Sequence, residues 1–340
     1  MNARRIGGIV VIVFVALATL TFMVAYILFT NDIQKTYEGI SSLTAQLTET
    51  PLVPLEYLTM GEGYPVILVH GMWGGVDQGL VEARNYLKNF KAIIVSRFGY
   101  FRTPFPSNAS PALQAEAYTY LLDTLGVDKA AIVGISAGST SSLQFALKYS
   151  DRCLALILLS SQGPSSASLP PKWAFSMFAQ TDSIMWAAST YFRSMMVSLI
   201  GVPKEILAQR TPEDEKHVDD ILATLLPVKL RSKGILFDAY VATPDIATFP
   251  FEQVRVPTVV FHAKDDPLSS FRSARSMAER IPNAKFVAFE KGGHLLLGNE
   301  ELVESEILNF LTHCINFEAN EKRDLSSPLY QLNPSTLSTR

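Results

Sequence analysis

The chain has 340 residues, a formal net charge of −3 and no basic run beyond Arg4 and Arg5, so nothing in it recommends a nucleic-acid partner. Its two cysteines, Cys153 and Cys314, are far apart and read as buried thiols, and no Cys/His cluster has the spacing of a metal site. A chain of this length, 48% hydrophobic, can bury the core of one α/β domain with an insertion.

In chain order, residues 6–29 carry no charge. An apolar run of about twenty residues or more is long enough to cross a bilayer as a helix. Arg4 and Arg5 precede it, and Asp32, Lys35 and Glu38 follow it. The positive flank stays cytoplasmic under the positive-inside rule, which makes residues 1–30 a single-pass anchor and puts the remainder on the periplasmic or extracellular side. The rival is a secretory signal cleaved after Ala16-Leu17-Ala18, but the apolar run continues well past that point through Phe22, Met23, Val24 and Tyr26. Residues 31–51 are polar and read as a linker or stalk helix.

From residue 52 strand and helix alternate. Strands are expected near 65–69, 92–96, 130–135, 154–159, 257–262 and 284–289, and helices near 111–125, 137–149, 270–281 and 300–315. That alternation predicts a mostly parallel sheet covered by helices on both faces. Between the fourth and fifth strands lie about a hundred residues of helical pattern, too long for a loop. The predicted organisation is an α/β core of residues 52–163 and 251–317, a helical cap of residues 164–250, and a polar, disordered tail of residues 318–340.

The most informative motif is Gly134-Ile135-Ser136-Ala137-Gly138. An apolar run precedes it and a helical pattern follows it, so Ser136 sits on a strand-to-helix turn that pushes its hydroxyl out above the sheet, beside a helix N-terminus. A plain βα turn with a capping serine has the same five residues, so partners decide. A serine needs a base, and the base needs an orienting group. Of five histidines, His217 reads as a surface residue behind a Thr211 helix cap, His313 as surface, and His262 as structural at a strand end. His294, in Lys291-Gly292-Gly293-His294 after the apolar run 286–289, is on a loop at a strand's carboxyl end, where ligands bind in open α/β sheets. Asp265 and Asp266, after the strand ending at His262, each offer a carboxylate.

The order Ser, Asp, His, with His70-Gly71-Met72-Trp73-Gly74-Gly75, Ser96-Arg97-Phe98-Gly99-Tyr100, the elbow, His262-Ala263-Lys264-Asp265-Asp266-Pro267 and Gly292-Gly293-His294, resembles an α/β-hydrolase-fold serine hydrolase with a helical cap. The resemblance spans residues 66–298. It implies Ser136 as nucleophile, His294 as base and Asp266 rather than Asp265 as acid, although Ala263 stands where the pattern usually has glycine. It also implies an oxyanion hole from the backbone N–H groups of Met72 and Ala137, with His70 shaping the loop. No cofactor is implied, because the glycines form neither a P-loop nor a dinucleotide fingerprint.

The cap segment is aromatic and Met-rich, and Trp173 and Trp186 there, with Trp73 in the oxyanion loop, are the candidate substrate-binding residues. The same residues serve equally well to pack the cap's own helices. The expected activity is hydrolysis of a carboxylic ester of a small to medium apolar acid. A C–C bond hydrolase, amidase or perhydrolase would use the same triad, and a ligand-binding protein without turnover would keep the same pocket.

Overall fold

The computed structural model describes residues 3–163, 170–209 and 211–326. Helix α1 (Ala3–Ser42) leads into β1 (Gln46–Thr48) and β2 (Leu55–Met60). Then β3 (Pro65–Val69), α2 (Val76–Tyr86), β4 (Lys91–Val95), α3 (Pro111–Thr124), β5 (Ala130–Ile135), α4 (Ser139–Lys148) and β6 (Cys153–Leu159) alternate. An insertion follows, with α5 (Lys172–Gln180), α6 (Asp182–Tyr191), α7 (Arg193–Leu199), α8 (Lys204–Leu207), α9 (Pro212–Ala223), α10 (Ser232–Phe237) and α11 (Thr243–Asp245). The chain closes with β7 (Thr258–Ala263), α12 (Phe271–Arg280), β8 (Lys285–Phe289) and α13 (Glu300–Ser326).

The eight strands form one sheet in the order β1-β2-β4-β3-β5-β6-β7-β8. The β1–β2 and β2–β4 pairs are antiparallel, and every other pair is parallel. Strands β6 and β7 are buried along their whole length, as unbroken apolar runs covered on both faces must be. Successive residues point to opposite faces, so Ile67, Ile132, Leu158 and Val260 pack under Tyr118, Leu143, Phe145 and Met277 of α3, α4 and α12. Leu68, Val133, Ile157 and Val259 pack on the other face with Tyr86, Val303, Ile307 and Leu311 of α2 and α13. The insertion has its own apolar centre around Met185, Met196, Val218 and Ile221, which reaches Tyr100 and Leu297 of the core.

Several elements differ from the sequence expectation. Of the linker and the stalk helix expected over residues 31–51, the helix is found over 31–42, where α1 continues without a break, but β1 then follows within the same stretch. From the last residue of the apolar run onward, α1 lays Phe29, Asp32, Ile33, Thr36 and Ile40 half-buried against the globular part, a helical spacing of three and four. The edge strand β1 and its neighbour β2 were not foreseen; three-residue β1 is held by its pairing rather than by propensity. Helix α2 was also missed. Gly75 precedes it without a side-chain cap, and its buried face includes Gln78 and Glu82, so no apolar stripe announces it. Helix α13 runs on to Ser326, past the expected start of the tail, and Glu318 pairs with Lys129 at 2.9 Å. Residues 164–169 of the expected cap and 327–340 of the expected tail lie outside the described residues. Cys153 and Cys314 are buried, free thiols.

His217 is not on the surface. It is 6% exposed, with ring nitrogens 3.3 Å from Glu300 and 3.7 Å from Glu82. Burial disfavours its cation, but hydrogen bonding and charge from the two carboxylates outweigh that and push its pKa up to about 10. The helix cap was read correctly: the Thr211 hydroxyl accepts from Asp214 N–H, and Asp214 returns a bond to Thr211 N–H. Its pattern of charges near the helix start did not reveal that α9 turns His217 inward, between α2 and α13.

Candidate active site

Ser136 follows β5 and opens the short turn Ser136–Gly138 that feeds α4. Its φ is +49°, the left-handed region that a residue with a side chain adopts only under tertiary constraint. The constraint is visible at Gly138: a Cβ there would lie 2.4 Å from the Val69 carbonyl oxygen and 2.6 Å from that of His70. The elbow is therefore pressed against the end of β3, and only glycine permits the approach. Ser139 Oγ donates to the Ser136 carbonyl at 2.5 Å and closes the turn. Ser136 is 8% exposed.

Beyond β7 and β8 the loops bring the other groups together. His294 Nδ1 lies 2.8 Å from Asp266 Oδ2. Asp266 Oδ1 accepts from the N–H groups of Leu268 and Ser269, at 2.8 and 3.0 Å, which fixes the carboxylate. His262 backs it from the strand end: its Nε2 is 3.0 Å from the Ser269 carbonyl and 3.4 Å from Asp266 Oδ2. Asp265 turns the other way, toward the N–H groups of Gly293 at 2.9 Å and Gly292 at 3.4 Å. The two neighbouring aspartates thus have separate tasks: one meets the imidazole and the other holds the loop that carries it.

Burial raises the Asp266 pKa, but the facing His294 and His262 and the Ser269 N–H more than compensate, and its carboxyl is held below the usual range. Burial likewise works against the His294 cation, yet the Asp266 carboxylate outweighs it and holds the imidazole pKa above its ordinary value of 6.5. His294 N–H also donates to the Gly201 carbonyl of the insertion at 2.8 Å. Gly201 has φ +82°, and a Cβ there would come within 2.4 Å of His294 Cβ, so the insertion abuts His294 directly.

The loop after β3 approaches Ser136 from the other side; a Cβ on Gly71 would sit 3.4 Å from Ser136 Cβ. Gly71 and Gly74 close a turn, with Met72 and Trp73 at its centre and Trp73 at φ +69°. A bulky residue at the position where such a turn favours glycine is held by its surroundings. His70 supplies part of that hold. Burial and the nearby Arg97 charge push its pKa well below 6.5, so the ring is neutral. Its Nδ1 donates to the Gly71 carbonyl at 2.7 Å and its Nε2 accepts from Arg97 N–H at 3.1 Å. Gln78 Oε1 accepts from Gly71 N–H at 3.0 Å. Among the described residues no partner takes the Met72 N–H.

Two buried arginines that sequence reasoning did not select complete the frame. Arg97 reaches Asp238 of the insertion through its two terminal guanidinium nitrogens, at 2.5 and 2.6 Å, and also donates to the Gly71 carbonyl at 3.1 Å. Tyr100 Oη donates to the same Asp238 carboxylate. Arg231 of the insertion, fully buried, donates to Asp77 at 2.6 Å and to the Gly74 carbonyl at 3.3 Å. Each pair ties insertion to core, and each arginine also pins one end of the Gly71–Gly74 turn. Only Arg97 fell in a noted motif; the partners Asp238 and Arg231 lie in the insertion, where nothing in their neighbourhood marks them.

The three tryptophans separate. The Trp73 ring meets Phe175 and Phe178 of α5 at centroid distances of 5.7 and 5.8 Å, over the loop. Trp173 is 71% exposed. Trp186 faces α1: its Nε1 donates to Asp32 at 3.0 Å and its ring lies 5.6 Å from Phe29.

A family profile described as alpha/beta hydrolase fold matches residues 64–301. The chain is 24% identical over 252 residues to the 2-hydroxymuconate semialdehyde hydrolase of Pseudomonas putida, covering 69% of this chain and 82% of that protein. It is 25% identical over 256 residues to the poly(3-hydroxyalkanoate) depolymerase of Ectopseudomonas oleovorans, covering 73% and 84%. Among solved structures, an alpha/beta hydrolase fold protein from Nakamurella multipartita superposes with a TM-score of 0.66 at 25% identity, covering 79% of this chain and 99% of that one. With the sheet order, the elbow and the Asp266–His294 pair, the matched segment leaves one assignment: the chain belongs to the α/β-hydrolase fold family.

Proposed function

We propose that the protein is a membrane-anchored serine hydrolase that cleaves a carboxylic ester through Ser136, His294 and Asp266. The observation that carries the reading is the buried carboxylate–imidazole pair on the two strand ends beyond a strained elbow serine. In the reaction, His294 Nε2 takes the Ser136 hydroxyl proton as Oγ attacks the ester carbonyl. The oxyanion is met by the N–H groups of Met72 and Ala137 and by the positive end of α4. His294 then protonates the leaving alcohol, and the acyl group stays on Oγ. Water, deprotonated by the same imidazole, releases the acid and restores the hydroxyl. Asp266 holds the imidazole tautomer and favours its cation.

A second reading is hydrolysis of a carbon–carbon bond on the same three residues. It is favoured by the likeness to the Pseudomonas hydrolase, whose named substrate is a semialdehyde rather than an ester. A fluorophosphonate probe should label Ser136 in the full-length protein, with turnover of p-nitrophenyl esters. Labelling with no ester turnover, together with cleavage of a vinylogous 1,5-diketone, would favour the carbon–carbon reading. Absence of both labelling and turnover would reduce the protein to a ligand binder.

The anchor is supported by the one helix among the described residues, Ile6–Ser42, that is long and apolar enough to cross a membrane. In this reading the N-terminus is cytoplasmic and the catalytic part lies on the other side. Full-length protein should stay with membranes through a carbonate wash, and protease added from outside an intact inner membrane should digest the catalytic part. A soluble form beginning near Thr19 would show cleavage after Ala18 instead, and protection from the protease would reverse the orientation.

A further inference from the structure

The insertion is apolar on its outside as well as its inside. Helix α5 packs Phe175 and Phe178 inward on Trp73, yet its opposite side presents Trp173 and Met177, 71% and 57% exposed, one turn apart. Helix α6 presents Ile184 and Tyr191, two turns apart. Phe192, Met195 and Leu199 follow at spacings of three and four along α7, at 60%, 53% and 41% exposed. Single exposed apolar residues are ordinary, but seven large ones on three consecutive, mutually packed helices are not.

Charge is nearly absent from the same stretch. Between residues 172 and 199 the charged side chains are Lys172, Asp182 and Arg193. Asp182 is buried and accepts from Lys229 N–H at 3.0 Å, while Arg193 pairs with Asp219. A helix that is apolar all round belongs inside a protein or in lipid.

The second observation comes from α1. Its residues 6–24 are all exposed, and contact with the globular part is continuous only from Phe29, the last residue of the uncharged run. At that point it meets α6. Phe29 lies against Trp186, Asp32 takes the Trp186 N–H, and the Trp186 ring meets Tyr191 at 5.7 Å. Where the spanning run ends, the bilayer surface begins, so α6 stands at that surface. Trp186 and Tyr191 occupy the level at which such residues are enriched in membrane proteins.

We infer that the outer face of α5–α7 is seated in the bilayer interface beside α1, and that the site draws an apolar acyl ester from the lipid phase. The seating follows from the surface and from its continuity with α1. The substrate half rests on the hydrolase reading above. Helix α5 is then a wall one helix thick between lipid and the Met72–Trp73 turn. An amphipathic surface of this kind buries its apolar side about 5–10 Å into the boundary between headgroups and acyl chains.

The test uses full-length protein in phosphatidylcholine vesicles. Spin labels are placed through Trp173→Cys, Phe192→Cys and Met195→Cys, with Glu279→Cys on exposed α12 as the reference. Collision with oxygen relative to a water-soluble nickel complex should be roughly tenfold higher at the three sites than at the reference. Equal ratios would overturn the seating. Protection from both collision partners with dipolar broadening would overturn it in favour of a second copy of the chain.

The substrate half is read with the double variant Met195→Glu/Leu199→Glu. Turnover of a long-chain ester dissolved in the vesicles should fall about tenfold, while that of water-soluble p-nitrophenyl acetate is unchanged. Equal losses on both esters, or no loss on either, would overturn the lipid route. If the unaltered protein hydrolyses neither ester, the ester-hydrolase reading fails and the lipid route with it, and the spin labels still decide the seating.

Discussion

Ser136→Ala should abolish turnover while leaving the fold intact. The hydroxyl is the only group lost, and alanine retains the Cβ that the elbow already accommodates at φ +49°. Without Oγ no acyl-enzyme forms, and the remaining oxyanion donors and bound substrate supply only residual rate. Loss of a triad nucleophile costs roughly 10⁴-fold or more in kcat, equivalent to about 5.5 kcal/mol of activation free energy. The measurement is kcat on a p-nitrophenyl ester beside a circular-dichroism melt. Turnover within tenfold of the unaltered protein, in a variant with an unchanged melt, would remove Ser136 from the mechanism and leave an ordinary βα turn.

The second large effect is expected from Asp266→Asn, with Asp265→Asn as its neighbour control. The introduced amide could still hydrogen-bond to His294, but the charge that stabilises the imidazolium would be gone and the wrong tautomer would be permitted. The expected loss is about 10⁴-fold in kcat. Asp265→Asn keeps a neutral acceptor for the Gly293 N–H, and loss of one weak loop bond costs about 1 kcal/mol, roughly fivefold.

The pH profile distinguishes a catalytic carboxylate from a structural one. Asp266 holds the His294 pKa above 6.5, and His294 must be neutral to accept the serine proton. The acid limb of kcat/KM therefore lies above pH 6.5 in the unaltered enzyme. Without that carboxylate, burial opposes the cation and only the weaker Glu82 charge still favours it, so the limb should move to lower pH in Asp266→Asn. An unmoved limb, or Asp265→Asn proving the dead variant, would show that the acid is misassigned.

The parts of this protein that could be read in one dimension are those whose signal is local. Apolar runs such as residues 154–159 become buried parallel strands because every position along them is covered. The glycines of the elbow mark a turn because Gly138 has carbonyl oxygens where a Cβ would stand. The uncharged run of residues 6–29 marks a helix long and apolar enough to cross a membrane, by length and composition alone. The order of Ser136, Asp266 and His294 was legible because each follows a strand, and strand ends of a parallel sheet share one edge.

What the sequence left open depends on side-chain direction and on distant partners. Asp265 and Asp266 are chemically identical neighbours, and only the twist of the loop after β7 sends one to His294 and the other to the Gly292 and Gly293 amides. His217 looked like a surface residue because its helix start is charged, whereas α9 turns it between Glu82 and Glu300 from two other elements. Arg97 and Asp238 are separated by 141 positions, as Arg231 and Asp77 are by 154, and no local pattern links either pair. The three tryptophans were all candidates for the same pocket, and helix packing alone sets Trp73 against Phe175 and Phe178, turns Trp186 to α1 and leaves Trp173 outside. Periodicity and turn chemistry act within a few residues and so survive in the sequence. Pairing of buried charges, and the choice of which apolar face stays uncovered, are set by elements meeting in space, and only the tertiary structure decided them.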